Sequence, residues 1–212
     1  LRQGVKFHTT DYFKPTRDFN ADDVLFTFQR LLDPQNAFRK AYPAESPYFT
    51  DMGLNTTIKS VEKIDGQTVR FNLNNVDAAF VQNLAMSFAS VQSAEYAAQL
   101  LKEGKAADLN QKPIGTGPFV FKRYQKDSQI RYTANTAYWK PEDVKIDNLI
   151  FSITPDAAVR LQKLKAGECQ VSGYPRPADI EMMKQDPNLR VLQQAGFNLG
   201  FLAYNVTHPP LD

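Results

Sequence analysis

LRQGVKFHTTDYFKPTRDFNADDVLFTFQRLLD, residues 1–33, decides how the rest of this chain is read. Residues 1–8 read as a strand, the polar residues that follow as a loop, and residues 20–33 as a capped helix. Asn20 supplies an N-cap oxygen, and Asp23 at the third helical position forms a partial capping box with it. Asp22 and Asp23 sit at the positive end of the helix dipole and Arg30 lies in the last turn. Val24, Phe28 and Leu31 share one face, flanked by Leu25 and Leu32, and Asp33-Pro34 stops the helix.

Outward from this stretch the chain alternates between element types. Residues 34–53 carry three prolines without a clean period and read as a surface excursion. Residues 58–64 and 68–73 alternate about an Asp65-Gly66 turn signal, which predicts a β-hairpin with Val69, Phe71 and Leu73 on one side. An apolar helix over 78–85 and a short strand over 88–91 follow. Ser93 then caps a helix over 94–103 that Gly104 can end. The turn Pro113-Ile114-Gly115-Thr116-Gly117-Pro118 leads into a strand over 119–124, with further strands at 130–134 and 146–153. Pro155 and Asp156 open a helix over 157–166 closed by Gly167. A strand at 169–172, a helix at 179–185 and strands at 189–193 and 199–205 complete the reading. The order of elements predicts a mixed α/β chain with a partly parallel sheet. No internal repeat or low-complexity run is present.

Composition narrows the function. The chain has 212 residues, enough for one or two domains with a real core, and is 42% hydrophobic, 23% charged and 12% aromatic. A net charge of +2 gives no argument for nucleic acid or an anionic membrane surface. No apolar run approaches the roughly 18–20 residues of a membrane span. The absence of an initiating Met, a basic leader and an apolar leader is expected of a chain trimmed from a longer one.

Residues that could carry chemistry are sparse. His8 and His208 are the only histidines and stand at no metal-ligand spacing. Cys169 is the only cysteine, with no nearby histidine to form a dyad, and reads by itself as a buried free thiol. No G-x-S-x-G or S-x-x-K pattern occurs. The Gly115-Thr116-Gly117 turn is no phosphate loop, because Pro118 and a strand follow where a Lys, a Ser or Thr and a helix are required. No catalytic constellation and no cofactor are therefore expected, which leaves binding.

Binding positions are sought in loops at strand ends, where open α/β sheets hold ligands. The first candidate is Ser172-Gly173-Tyr174-Pro175-Arg176-Pro177. Gly173 allows close backbone approach, Pro175 pre-sets an extended path, and an extended peptide could lie along Tyr174 by main-chain hydrogen bonds. Arg176 offers a fork to a ligand carboxylate, or else faces solvent. The second candidate is Gly196-Phe197-Asn198-Leu199-Gly200-Phe201, in which Asn198 can donate and accept and Gly200 gives backbone access. The alternative for the first loop is a plain helix–strand connection, and for the second a buried strand start.

These residues carry a resemblance. The motif L-R-x-G-V-K-F-H at 1–8, N-A-x-D-V-x-F-T-x-x-R at 20–30, G-T-G-P-F at 115–119, N-x-x-Y-W at 135–139, G-E-C-x-V at 167–171 and Y-N-x-x-x-x-P-L at 204–211 occur in order. They resemble the dipeptide- and oligopeptide-binding proteins that serve ABC importers, extracellular solute-binding protein family 5. The similarity is greatest to the dipeptide-binding branch with its haem- and glutathione-binding relatives. It implies part of a type II periplasmic-binding-protein fold, with residues 1–113 forming most of the second, smaller lobe and 114–212 part of the first, ligand-cleft lobe. It implies a small peptide ligand, a dipeptide or glutathione, held without catalysis between closing lobes, with haem as the alternative cargo. It also implies a permease of the inner membrane as partner and a periplasmic location after export, with or without a lipid anchor. Gly173, Tyr174, Asn198 and Gly200 would face the cleft. The cysteine of the G-E-C-x-V motif would pair with one near the mature N terminus, outside this chain, and the anchors for the peptide's two ends would come from a third lobe, also outside it. A haem-delivery role would call on His8 or His208 as axial ligand. An enzyme or adhesion module on the same scaffold is the third class. Lacking the strands that would pair with it, the isolated chain is expected to bind ligand poorly and to self-associate through open edges.

Overall fold

The computed structural model describes residues 1–196, 200–207 and 209–210. They form two compact units, Leu1–Ile153 and Thr154–Asp212.

In the first unit, residues 1–18 run extended without joining a ladder of strands. Val5, Phe7 and Phe13 are buried, and the backbone is pinned at intervals by Phe19 N–H donating to the Val5 carbonyl at 2.8 Å and His8 N–H to the Gly115 carbonyl at 2.8 Å. The strand expected over 1–8 is thus an extended segment held by single bonds. Helix α1, Ala21–Leu32, forms as its caps dictate: the Asn20 side chain accepts from Asp22 N–H at 2.9 Å, and the Asp23 carboxylate accepts from Asn20 N–H at 2.9 Å. Val24 and Phe28 are buried on its inner face, each such burial stabilising by about 1.5–3 kcal/mol.

Residues 34–53 do more than cross the surface. They form α2 (Ala37–Ala41) and α3 (Pro47–Asp51), which drive Phe38 and Phe49 into the core. Asn36 caps the first by accepting from Phe38 and Arg39 N–H, and Pro47 opens the second. After α4 (Leu54–Thr57), β1 (Ile58–Asp65) and β2 (Thr68–Leu73) pair antiparallel with Val61 opposite Phe71 and Lys63 opposite Val69. The turn falls at Gly66-Gln67, one residue later than the sequence signal, and its Gly66 carbonyl accepts from Ala21 N–H at 3.0 Å, tying the hairpin to the start of α1. Phe28 meets Phe71 edge-on at 4.9 Å between ring centres.

Helix α5 is shorter than expected, Phe80–Asn83, and a 3₁₀ turn at Ser87–Ala89 stands where a strand over 88–91 is predicted. Ser93 caps α6 (Ala94–Lys102) by accepting from Tyr96 N–H at 3.2 Å, and Gly104 ends the segment at φ 68°. Helix α7 (Asp108–Gln111) follows. Two clusters result. Phe7, Phe13, Phe38, Tyr96, Leu100, Leu109 and Ile114 form one, and Val24, Phe28, Phe49, Leu54, Ile58, Val61 and Phe80 the other, with Phe19 packed against both.

Strands β3 (Phe119–Gln125), β4 (Gln129–Ala134) and β5 (Asn148–Ser152) make an antiparallel sheet in that order. No parallel pair occurs among the described strands, which corrects the expected partly parallel sheet. The physical reason is the linkers: a three-residue turn with Asp127 at φ 58° can only reverse the chain, and residues 135–147 hold no crossover helix. Phe121, Tyr132 and Phe151 stack in edge-on steps of 5.8 and 6.0 Å across the three strands.

In the second unit, Asp156 caps α8 (Ala157–Lys165) by accepting from Val159 N–H at 2.8 Å, and Gly167 leaves it at φ 73°. A 3₁₀ turn at Pro177–Asp179 leads into α9 (Ile180–Gln185), with Leu161 and Met183 buried. The strands predicted at 169–172, 189–193 and 200–205 do not form, and Leu199, which would begin the last, lies outside the described residues. Most of their apolar side chains stay in solvent, Val171 and Phe201 each being 86% exposed, while Leu189 and Val191 are half-buried. A strand needs a partner for its N–H and C=O groups, and these segments find none among the described residues. No helix among the described residues is long and apolar enough to cross a membrane.

Candidate ligand-binding site

The 172–177 loop follows the irregular stretch after α8 and enters the Pro177–Asp179 turn. Gly173 is exposed, and a Cβ there would meet nothing within 4 Å, so the backbone is open to an approaching molecule. Tyr174 is 93% exposed and sits at φ 53°, the left-handed region that bulky side chains rarely adopt. Pro175 is half-buried behind it.

Arg176 is engaged within the loop. Its Nε and Nη2 donate to the two Asp179 carboxylate oxygens at 2.7 and 2.9 Å. This fork holds the Asp179 carboxyl below the ordinary carboxylate range. Arg176 therefore closes the loop onto the start of α9, and the fork proposed for a ligand carboxylate is largely spent.

A residue that sequence reasoning missed completes the loop. Arg160, from the first half of α8, donates through Nη1 to the carbonyls of Thr154 and Pro155 at 2.8 and 2.6 Å, and through Nη2 to the Tyr174 carbonyl at 2.9 Å. A cation near a helix N terminus opposes the dipole, and that anomaly was the available signal.

Gly200 is exposed, with no atom within 4 Å of a built Cβ, and no hydrogen bond or ion pair among the described residues joins it to the 173–176 loop. Asn198 lies outside the described residues, as does His208. Cys169 is a half-buried free thiol.

His8 is buried and both its ring nitrogens are engaged. Nε2 lies 2.9 Å from the Gly117 carbonyl, which can only accept, so Nε2 carries the proton; Nδ1 then accepts from Gly115 N–H at 3.3 Å. Asn135 Nδ2 donates to the same Gly117 carbonyl at 2.9 Å. Burial pushes the imidazole below its ordinary value, partly opposed by the Gly117 carbonyl. The ring thus clasps the Gly115-Thr116-Gly117 turn and has no lone pair left for iron. Among the described residues no group of three or more His, Cys, Asp or Glu could hold a metal ion. A concave surface of about 480 Å³ lies elsewhere, between residues 6–18 and β3–β4, lined by Lys6, Arg17, Asp18, Lys122 and Asn135 among others and by none of the expected site residues.

A mixed α/β chain with small-residue, aromatic-tipped loops and no catalytic cluster among its described residues fits a type II periplasmic binding protein, and solved structures share its fold. A dipeptide-binding protein of Pseudoalteromonas sp. SM9913 in complex with Met-Leu superposes with a TM-score of 0.92 at 40% identity, covering 100% of this chain and 41% of that one. The chain belongs to the bacterial extracellular solute-binding proteins of family 5, whose middle-region profile matches residues 1–212. Di/tripeptide-binding protein 1 of Pseudomonas aeruginosa (strain UCBPP-PA14) is 71% identical over 212 residues, all of this chain and 40% of that protein. Heme-binding protein A of Haemophilus influenzae (strain ATCC 51907) is 48% identical over 212 residues, all of this chain and 39% of that protein. The chain thus spans about two-fifths of the length of these relatives.

Proposed function

We propose that this chain is part of the substrate-binding component of an ABC importer for dipeptides and similarly small peptides, glutathione included. The observation that carries the reading is the 71% identity, over the whole chain, to a protein described as di/tripeptide-binding. A neighbour of the same fold described in complex with Met-Leu supports it. In this reading the protein works in the periplasm without catalysis, its lobes close on the peptide, and an inner-membrane permease reads the closed form. Residues 1–113 serve as most of the second lobe and 114–212 as part of the first. The compact-unit division falls later, at Ile153 and Thr154; His8 ties the turn ahead of β3 to residues 1–8, and Asn135 ties the same turn to the end of β4. Gly173, Tyr174, Pro175, Asn198 and Gly200 contact the ligand, with Arg176 shaping the loop through Asp179.

The haem reading draws on the 48% identical haem-binding relative. His8, with both nitrogens committed, counts against it as an axial ligand.

A thermal-shift series on the intact protein separates the two. Met-Leu, other dipeptides, reduced and oxidised glutathione and haem are each added at excess. A ligand that binds only the folded state at one hundred times its Kd stabilises by about 2.7 kcal/mol, so the peptide class should raise Tm by several degrees. A shift and a Soret band with haem alone, with no response to any peptide, would replace the importer reading by haem delivery.

A further inference from the structure

We propose that Arg160 is a positioning residue for ligand recognition: its guanidinium holds Tyr174 in the left-handed backbone conformation that turns the tyrosine ring out of the loop toward the peptide. This rests on the reading that the 173–176 loop contacts the ligand.

Three carbonyl oxygens converge on one cation. Thr154 and Pro155, on the stretch ahead of α8, share Nη1 at 2.8 and 2.6 Å, and Tyr174, fourteen residues beyond Arg160, takes Nη2 at 2.9 Å. The planar fork spans both sides at once. An ammonium on a flexible stem is a single point and cannot reproduce that spread. Tyr174 needs such a restraint. At φ 53° its Cβ crowds its own backbone, and at 93% exposure the residue has little packing among the described residues to hold it there. The Arg160 bond to the Tyr174 carbonyl and the Arg176–Asp179 fork restrain the loop on both sides of Pro175. A bulky residue held in an uncommon conformation, with its ring in solvent, is poorly explained by stability. It is well explained if an aromatic face is being kept ready, with little ordering left to occur when a peptide arrives.

The test measures Met-Leu affinity and ligand-free Tm for the intact protein and its variants Arg160→Gln, Arg160→Lys, Tyr174→Gly and the double variant Arg160→Gln/Tyr174→Gly. Tyr174→Gly removes the ring and relaxes the backbone together. Arg160→Gln and Arg160→Lys should each weaken Met-Leu binding about tenfold or more, and Arg160→Gln should add no further loss once Tyr174 is glycine. A residue that merely holds the fold would lower Tm, leave Kd unchanged in the folded variants, and lose the same amount in both backgrounds. That result would overturn the proposal. Should Arg160→Gln fail to fold, Arg160→Lys retains the charge and decides the question through Kd. Unchanged affinity in Tyr174→Gly would instead remove the loop from the site, and absence of Met-Leu binding in the unaltered protein, alongside haem binding, would overturn the importer reading itself.

Discussion

Asp23→Ala is expected to lower stability by about 3–5 kcal/mol, the cost of breaking a buried, multiply bonded charge pair. Asp23 is fully buried, and its carboxylate accepts four bonds. Arg17 Nη1 and Nη2 donate at 2.7 and 2.9 Å, Asn20 N–H at 2.9 Å, and Ala94 N–H at 2.8 Å. One side chain therefore completes the capping box of α1, neutralises Arg17 and satisfies the first N–H of α6. Alanine leaves two backbone donors without acceptors and strips the Arg17 guanidinium of its anionic partner, leaving it only the Asp18 carbonyl at 3.0 Å. At about 2–4 °C per kcal/mol for a chain of this size, Tm should fall by roughly 10 °C. Urea unfolding of Asp23→Ala beside Arg17→Ala checks the logic, since Arg17 is partly exposed and its loss should cost less. A drop in Asp23→Ala smaller than in Arg17→Ala would refute it.

The second large effect is a pH dependence centred on His8. The imidazole is bound in its neutral form, with Nδ1 accepting from Gly115 N–H and Nε2 donating to the Gly117 carbonyl. Protonation puts a hydrogen on Nδ1, facing another hydrogen. Burial lowers the folded-state value below 6.5, and the bond to the Gly117 carbonyl only partly opposes it. A histidine depressed in the folded state stabilises it fully above the unfolded value and loses that contribution as pH falls through the folded value. Stability should therefore decline below about pH 6.5, and His8→Gln should flatten that decline. At neutral pH His8→Ala should cost about 2 kcal/mol, because Gly115 N–H loses its acceptor while Gly117 keeps Asn135. Denaturation midpoints at pH 7.5 and pH 5 for both chains decide the matter. An equal gap between unaltered protein and His8→Gln at the two values would exclude His8 as the source.

What could be read ahead of the structure follows from where each element's information lies. Helices α1, α6 and α8 carry their caps within a few residues of their apolar stripes, at Asn20, Ser93 and Asp156, so each was legible to within a residue or two. The β1–β2 hairpin was equally local. Strands at 169–172 and 189–193 were misread because alternating side chains state a wish to be a strand, whereas a ladder needs a second chain segment. The short helices around Phe38 and Phe49 were hidden by the prolines that start and separate them. In the candidate site, Gly173 through Arg176 were nominated from loop composition and resemblance. The engagement of Arg176 by Asp179 and the grip of Arg160 on Tyr174 depend on side-chain direction, which spacing alone does not state.

The shared carbonyl of Gly117 also bears on the order in which the chain assembles. The capping box of α1 closes across three residues, and the β1–β2 turn is as local. His8 and Gly117 are 109 residues apart, so that closure carries a larger loop entropy. Such contacts tend to form after the rate-limiting step when local structure supplies the nucleus. Loss of the His8 clasp should then appear as faster unfolding at nearly constant folding rate, whereas loss of the local Asn20–Asp23 capping box should slow folding. The turn ahead of β3 is in that sense a latch, expected to set late during folding.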